Sequence, residues 1–146
     1  GSSGMAQYGS SKAANILFTR ELAARLTERS ANVLVNTVNP GMVQTDFYRG
    51  MFESINSTFP SWLAKQLASL LQGVVDNIAW HPKDAILTLI ACAAGPDLIR
   101  GKVTGKYYHP MFREMVPAEY TRDPTRQKAF WEMSERVIAA VMKDLD

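Results

Sequence analysis

The reading of the fold turns on "NVLVNTVNPG", residues 32–41. Val33, Val35, Thr37 and Val38 are β-branched, and a short run of such residues bounded by turn formers marks a buried strand. Pro40-Gly41 ends it, because proline brings no N–H to a ladder and glycine accepts the backbone angles of a tight turn.

Working outward, Ala6 to about Arg29 repeats Ile16, Leu17, Leu22, Ala23 and Leu26 at helical spacing and ends near "TERSAN". A helix that feeds a strand argues for α/β architecture. Downstream, Asp46 to Gly73 is rich in aromatics and methionine, broken by "NSTFPS", and reads as an irregular excursion with one or two short helices. His81-Pro82-Lys83-Asp84 opens an apolar helix through Ala94, which Gly95 and Pro96 stop. "GKVTGKYYH", residues 101–109, supplies a second strand. In the last segment Asp123 is the expected N-cap and Pro124 the first helical residue, with Phe130, Met133, Val137 and Val141 on one face that packs inward.

The chain has 146 residues, 47% hydrophobic and 21% charged, which suits one domain with one core. Its net charge of +2 comes from scattered basic residues, so neither a nucleic-acid groove nor a polybasic membrane patch is expected. No run approaches ~20 uninterrupted apolar residues, so no membrane segment is expected either. Cys92 is the only cysteine, set in "LTLIACAAG", and reads as a buried structural thiol, with a reducing intracellular compartment favoured. His81 and His109 lie far apart without companions at metal-ligand spacing, so no metal site is expected. "GSSG", residues 1–4, reads as a cloning scar, and Asn56-Ser57-Thr58 as an incidental glycosylation sequon. Two strands leave sheet edges unpaired and apolar faces uncovered, so residues 5–146 read as part of a larger, doubly wound parallel sheet.

Ligands bind outside the carboxyl ends of strands in such sheets, where Asn39-Pro40-Gly41 falls. "GMVQT" after it offers backbone N–H groups and the Thr45 hydroxyl. On helix one, Tyr8 and Lys12 are four apart and share a face. A cation beside a phenol favours phenolate, so the pair suits general acid–base chemistry. Either feature alone is commonly structural: a strand-ending turn, or a half-buried tyrosine beside a solvated lysine.

Together, Tyr8-x-x-x-Lys12, the continuing "AANILFTREL" and "VNTVNPGMVQT" resemble the short-chain dehydrogenase/reductase family, and helix one and the tail look most like its retinol-dehydrogenase-like branch. The resemblance covers residues 6–146 and implies a Rossmann-like fold, an NAD or NADP cofactor and an apolar alcohol, aldehyde or ketone substrate. It implies that Tyr8 exchanges a proton with the substrate oxygen and that Lys12 aids the phenol and binds the nicotinamide ribose. Pro40, Gly41, Val43 and Thr45 match the segment holding the nicotinamide carboxamide and a phosphate. Phe47, Tyr48, Met51 and Phe52 match the variable substrate loop. The helix carrying Tyr8 and Lys12 matches one that commonly pairs two subunits.

The family's glycine-rich turn, its Asn-Ala-Gly segment, the residue that selects NAD or NADP and the catalytic serine are absent from these 146 residues. Ser2 and Ser3 precede Tyr8 too closely to end a strand and cross a loop. The chain therefore reads as the C-terminal half of such an enzyme, inactive by itself. Two alternatives stay open: a non-catalytic interaction module, and a sugar-nucleotide epimerase-type member sharing the Tyr-Lys pair.

Overall fold

The computed structural model describes residues 4–43 and 59–143. Helix α1 spans Gly4–Glu28 and strand β1 is Thr37–Val38. Three helices follow, α2 at Ser61–Ile78, α3 at Pro82–Ala94 and the short α4 at Pro96–Arg100. Strand β2, Tyr107–His109, leads through a 3-10 turn at Pro110–Phe112 into β3, Arg113–Glu114. A second 3-10 turn, Glu119–Thr121, precedes α5, Pro124–Lys143.

The architecture is α/β, as expected, but the sheet is mixed rather than purely parallel. β1 pairs in parallel with β2, and β3 joins β2 antiparallel. The expected strand over residues 32–41 reduces to Thr37–Val38; upstream of it one backbone bond remains, from the Gly105 amide to the Val35 carbonyl at 2.7 Å, and side chains make the others. Thr104 Oγ1 accepts from the Val35 amide at 3.0 Å and donates to the Val35 carbonyl at 3.2 Å. Asn36 donates from Nδ2 to the Val103 carbonyl at 3.0 Å, and its Oδ1 accepts from the Lys106 amide at 3.0 Å. The backbone groups are satisfied there without strand geometry.

The helix ends follow their capping chemistry. His81 caps α3, its Nδ1 accepting from the Lys83 amide at 3.2 Å, and Pro82 needs no such acceptor at the first helical position. Asp123 Oδ1 accepts from the Thr125 amide at 2.9 Å, in front of Pro124. From Ser61 onward the excursion forms one helix that continues past Gly73 to Ile78, in place of the short pieces expected.

Alternation along β2 sorts its side chains to opposite faces. Tyr108 is buried and stacks on Phe112, with ring centroids 4.8 Å apart, and the Phe112 amide donates to Thr88 of α3 at 3.2 Å. Tyr107 points the other way, towards α1. Ile16 and Ala23 of α1 are buried, and α1 packs on α5. In that contact the Trp131 ring lies between Phe18, stacked at 5.1 Å, and the Arg25 guanidinium at 4.6 Å.

The outer half of α5 corrects the sequence expectation. Met133, Val137 and Val141 are 45%, 57% and 54% exposed, so the face expected to pack inward is open to solvent along its outer part. Ile86, Leu87, Leu89 and Ile90 of α3 are exposed likewise, and only Ala85 and Thr88 of that helix are buried. Among the described residues no helix is long and apolar enough to cross a membrane.

Candidate functional site

A cleft of about 290 Å³ lies where the N-terminal half of α1 meets the carboxyl end of β1. From the helix come Tyr8, Gly9, Lys12, Asn15 and Ile16, the face repeated at three- and four-residue steps. From the sheet come Thr37, Val38, Asn39, Pro40, Gly41 and Tyr107. The two sequence signals, about thirty residues apart, thus line one cavity.

Tyr8 is 49% exposed, with its ring reachable from solvent. The Lys12 ammonium sits over that ring, 5.2 Å from its centroid, a cation–π contact that keeps charge and phenol on the same side of the helix. One turn of α1 is held by Ser11, whose hydroxyl donates to the Tyr8 carbonyl at 2.7 Å.

The turn opposite is tightly specified. Gly41 has φ of +76°, and a Cβ there would stand 2.8 Å from Pro110 Cγ and 3.2 Å from Trp80 Cδ1. Asn39 Oδ1 accepts from the Gly41 amide at 2.9 Å, closing the turn over Pro40. The Gly41 N–H, expected to face a ligand, is therefore engaged within the turn. The Asn39 amide nitrogen donates to the Tyr107 hydroxyl at 3.2 Å, and that oxygen lies 3.1 Å from His109 Nε2.

Val43 is not part of the cleft lining; it bridges in parallel to Trp80, whose amide donates to the Met42 carbonyl at 2.7 Å. Thr45, Phe47, Tyr48, Met51 and Phe52 lie outside the described residues. Tyr107 is one of the lining residues that sequence reasoning missed, with Asn15 and Asn39. It enters through the Thr37–Tyr107 register of β1 and β2, which no local motif announces. Asn39 carried a signal in its place immediately before Pro-Gly, where an Asx side chain commonly closes a turn.

Away from the cleft, Cys92 is partly buried and desolvation pushes its thiol above the usual range. Tyr108 is pushed up too, first by burial and then by the charges of Glu114 and Cys92, with Lys106 opposing. Among the described residues no group of three His, Cys, Asp or Glu side chains is placed to hold a metal ion.

The short chain dehydrogenase family matches residues 1–56, the part that contains Tyr8, Lys12 and the Asn39–Gly41 turn. Retinol dehydrogenase 14 of Mus musculus is 33% identical over 93% of this chain and 36% of its own length. Polyprenol dehydrogenase of Homo sapiens is 32% identical over 88% of this chain and 34% of its own. The chloroplastic short-chain dehydrogenase TIC 32 A of Brassica napus is 27% identical, over 92% and 37% respectively. The chain thus spans about a third of the length of these curated relatives. No solved structure matches it. The Tyr8–Lys12 helix face and the Asn39-Pro40-Gly41 turn thus meet in one cleft within the part similar to the short chain dehydrogenase family, and most of the chain is similar to curated retinol dehydrogenases of that kind.

Proposed function

We propose that this chain carries the reacting end of an oxidoreductase that exchanges hydride between NAD(P)(H) and an apolar alcohol or carbonyl compound. The observation that carries the reading is the shared cleft of Tyr8, Lys12 and the Asn39–Gly41 turn. Its donor set suits the nicotinamide half of the cofactor: one ammonium from Lys12 and the amide side chains of Asn15 and Asn39 beside the Pro40-Gly41 turn. Lys12 would hold the ribose, and Pro40 and Gly41 the carboxamide, with Val43 and Thr45 continuing that segment. When bound, the nicotinamide supplies or accepts the hydride.

Tyr8 gives its phenol proton to the carbonyl oxygen, or takes the alcohol proton in the reverse direction. Half-exposed at the cleft mouth, it is reachable by a substrate oxygen without movement of the helix. The Lys12 ammonium offsets the negative charge left on Tyr8 when that proton has gone. Phe47, Tyr48, Met51 and Phe52 form the apolar side of the substrate site in this proposal, supported by their composition and their position after Thr45.

A general acid or base of this kind contributes about 10²–10⁴-fold to rate. In the enzyme assayed with NADH or NADPH and apolar aldehydes, Tyr8→Phe lowers kcat by that range and leaves cofactor affinity within about twofold. Residual turnover within tenfold of the parent would overturn the role of Tyr8. These 146 residues contain no glycine-rich pyrophosphate turn, so we further expect them to sustain little turnover alone. Steady NAD(P)H consumption by the isolated chain would contradict that.

The exposed apolar ridge of α5 favours a second reading, in which the chain is an interaction module that pairs with another copy, through that ridge or through the Tyr8–Lys12 helix. A monomer in sedimentation across a wide concentration range would count against it.

A further inference from the structure

Asn39 is tied on both ends, and the two ties fix which end is which. The Gly41 amide can only donate, so the atom facing it at 2.9 Å is the oxygen Oδ1. The other end is therefore the NH₂, and the Tyr107 hydroxyl at 3.2 Å must accept from it. That leaves the phenol with its single proton to give, and His109 Nε2 stands 3.1 Å away. The two rings also meet edge to face, their centroids 5.0 Å apart at 86°.

We propose that Tyr107 and His109 are positioning residues for the Asn39–Gly41 turn, acting through a directed hydrogen-bond relay in which His109, with its own proton on Nδ1, accepts the hydrogen bond that the Tyr107 phenol donates to Nε2. The relay orients the Asn39 side chain, and Asn39 in turn sets the Gly41 amide at the edge of the cleft. The same strand end also holds the turn sterically, because Pro110, next in sequence to His109, packs against Gly41 where a Cβ would have stood. β2 thus carries a control over the nicotinamide end of the site from residues 68 positions beyond the turn. The functional meaning of that control rests on the dehydrogenase reading above, whereas the relay does not.

The test is nuclear magnetic resonance of the chain, reading the His109 tautomer from its ring nitrogens and Gly41 from its amide exchange. We expect the Nδ1–H tautomer in the parent. Tyr107→Phe, which removes only the hydroxyl, speeds Gly41 exchange about five- to tenfold, the worth of one net hydrogen bond. The Thr37 and Asn39 amides, held by the Lys106 and Tyr108 carbonyls, stay unchanged. His109→Ala speeds Gly41 exchange similarly, and His109→Gln, which restores an acceptor, recovers it.

An Nε2–H tautomer, an unchanged Gly41 amide in Tyr107→Phe, or equal loss of protection at Thr37 and Asn39 would each overturn the relay. Addition of NADH or NADPH to the parent separates the other question. Shifts at Gly41 and Lys12 support the cofactor site, and a flat titration alongside an intact relay leaves the relay standing and overturns only a nicotinamide site formed by these residues by themselves.

Discussion

Gly41 and Pro110 stand so close that a Cβ on the glycine would lie 2.8 Å from the proline ring. The turn that ends β1 and the turn that follows β2 are therefore fitted to each other, and the fit passes through the one residue type that has no side chain. Gly41→Ala meets this contact, the Trp80 indole and a φ of +76° at once. We expect a loss of about 1–3 kcal/mol, as for other side chains forced into left-handed backbone. Urea unfolding reads it as a lower midpoint at unchanged slope.

Trp131 links α1 and α5 as the middle layer of a sandwich between Phe18 and Arg25. Phe18 and Arg25 are two helical turns apart on one face, which is the span an indole needs. Trp131→Ala removes both contacts and leaves a gap between the helices, costing roughly 2–4 kcal/mol, towards the low side of the range for large-to-small changes because the indole is only partly buried. Arg25→Ala costs less, about 0.5–1 kcal/mol, the worth of one partly exposed cation–π contact. Thermal unfolding of both variants gives the order.

The exposed face of α5 yields a prediction that separates the structure from the sequence reading. Were Val137 and Val141 packed, lysine at either position would cost several kcal/mol. Exposed as they are, Val137→Lys and Val141→Lys change stability by no more than about 0.5 kcal/mol. A larger loss in the monomer would restore the packed face; a loss appearing only at high concentration would identify an interface between copies.

Alkaline pH destabilises the fold through Tyr108 and Cys92. Both groups are acids whose folded-state values are raised, so the folded protein holds these protons more tightly than the unfolded chain does. Between the ordinary and the raised values the unfolded state binds fewer protons, and stability falls as pH rises. The stabilisation is complete below the ordinary thiol and phenol range, about 8.5–10, and is lost above it. Tyr108→Phe removes the phenol's part of that decline, which denaturation midpoints measured across that range will show. In native protein the same shift keeps Cys92 in its thiol form, so alkylation by iodoacetamide at neutral pH is slower than for a free cysteine.

What was legible in the sequence follows the range over which each signal acts. The start of α3 at Pro82, its stop at Gly95 and the Asp123-Pro124 entry to α5 are set by neighbours one to four residues away, and all three fell where capping chemistry puts them. Tyr8 and Lys12 were legible for the same reason. The two expected strands were legible in place but not in extent, because a strand is defined by its partner. Leu34 to Asn36 look like strand residues, yet the Thr104 hydroxyl engages the Val35 amide and carbonyl, and the Asn36 side chain takes up the Val103 carbonyl and the Lys106 amide opposite. β3 escaped notice because its hairpin turns on Met111 and Phe112 with positive φ, residues that carry none of the usual glycine or asparagine signal. The Tyr107 side chain reached the cleft by the same route, through pairing rather than spacing.

The antiparallel β3 gives this small sheet a direction. It runs back along β2 and occupies that flank with a two-residue strand whose Glu114 is engaged by Lys106 at 2.7 Å, a short and charged margin that is a poor template for another chain. β1 lies at the opposite margin, with β2 beside it. Any further strand that joins this sheet in register must therefore dock against Thr37 and Val38, the residues that open onto Tyr8 and Lys12. Extension of the sheet and completion of the cleft's wall become a single event, so a strand recruited for structural reasons arrives at the chemistry by necessity.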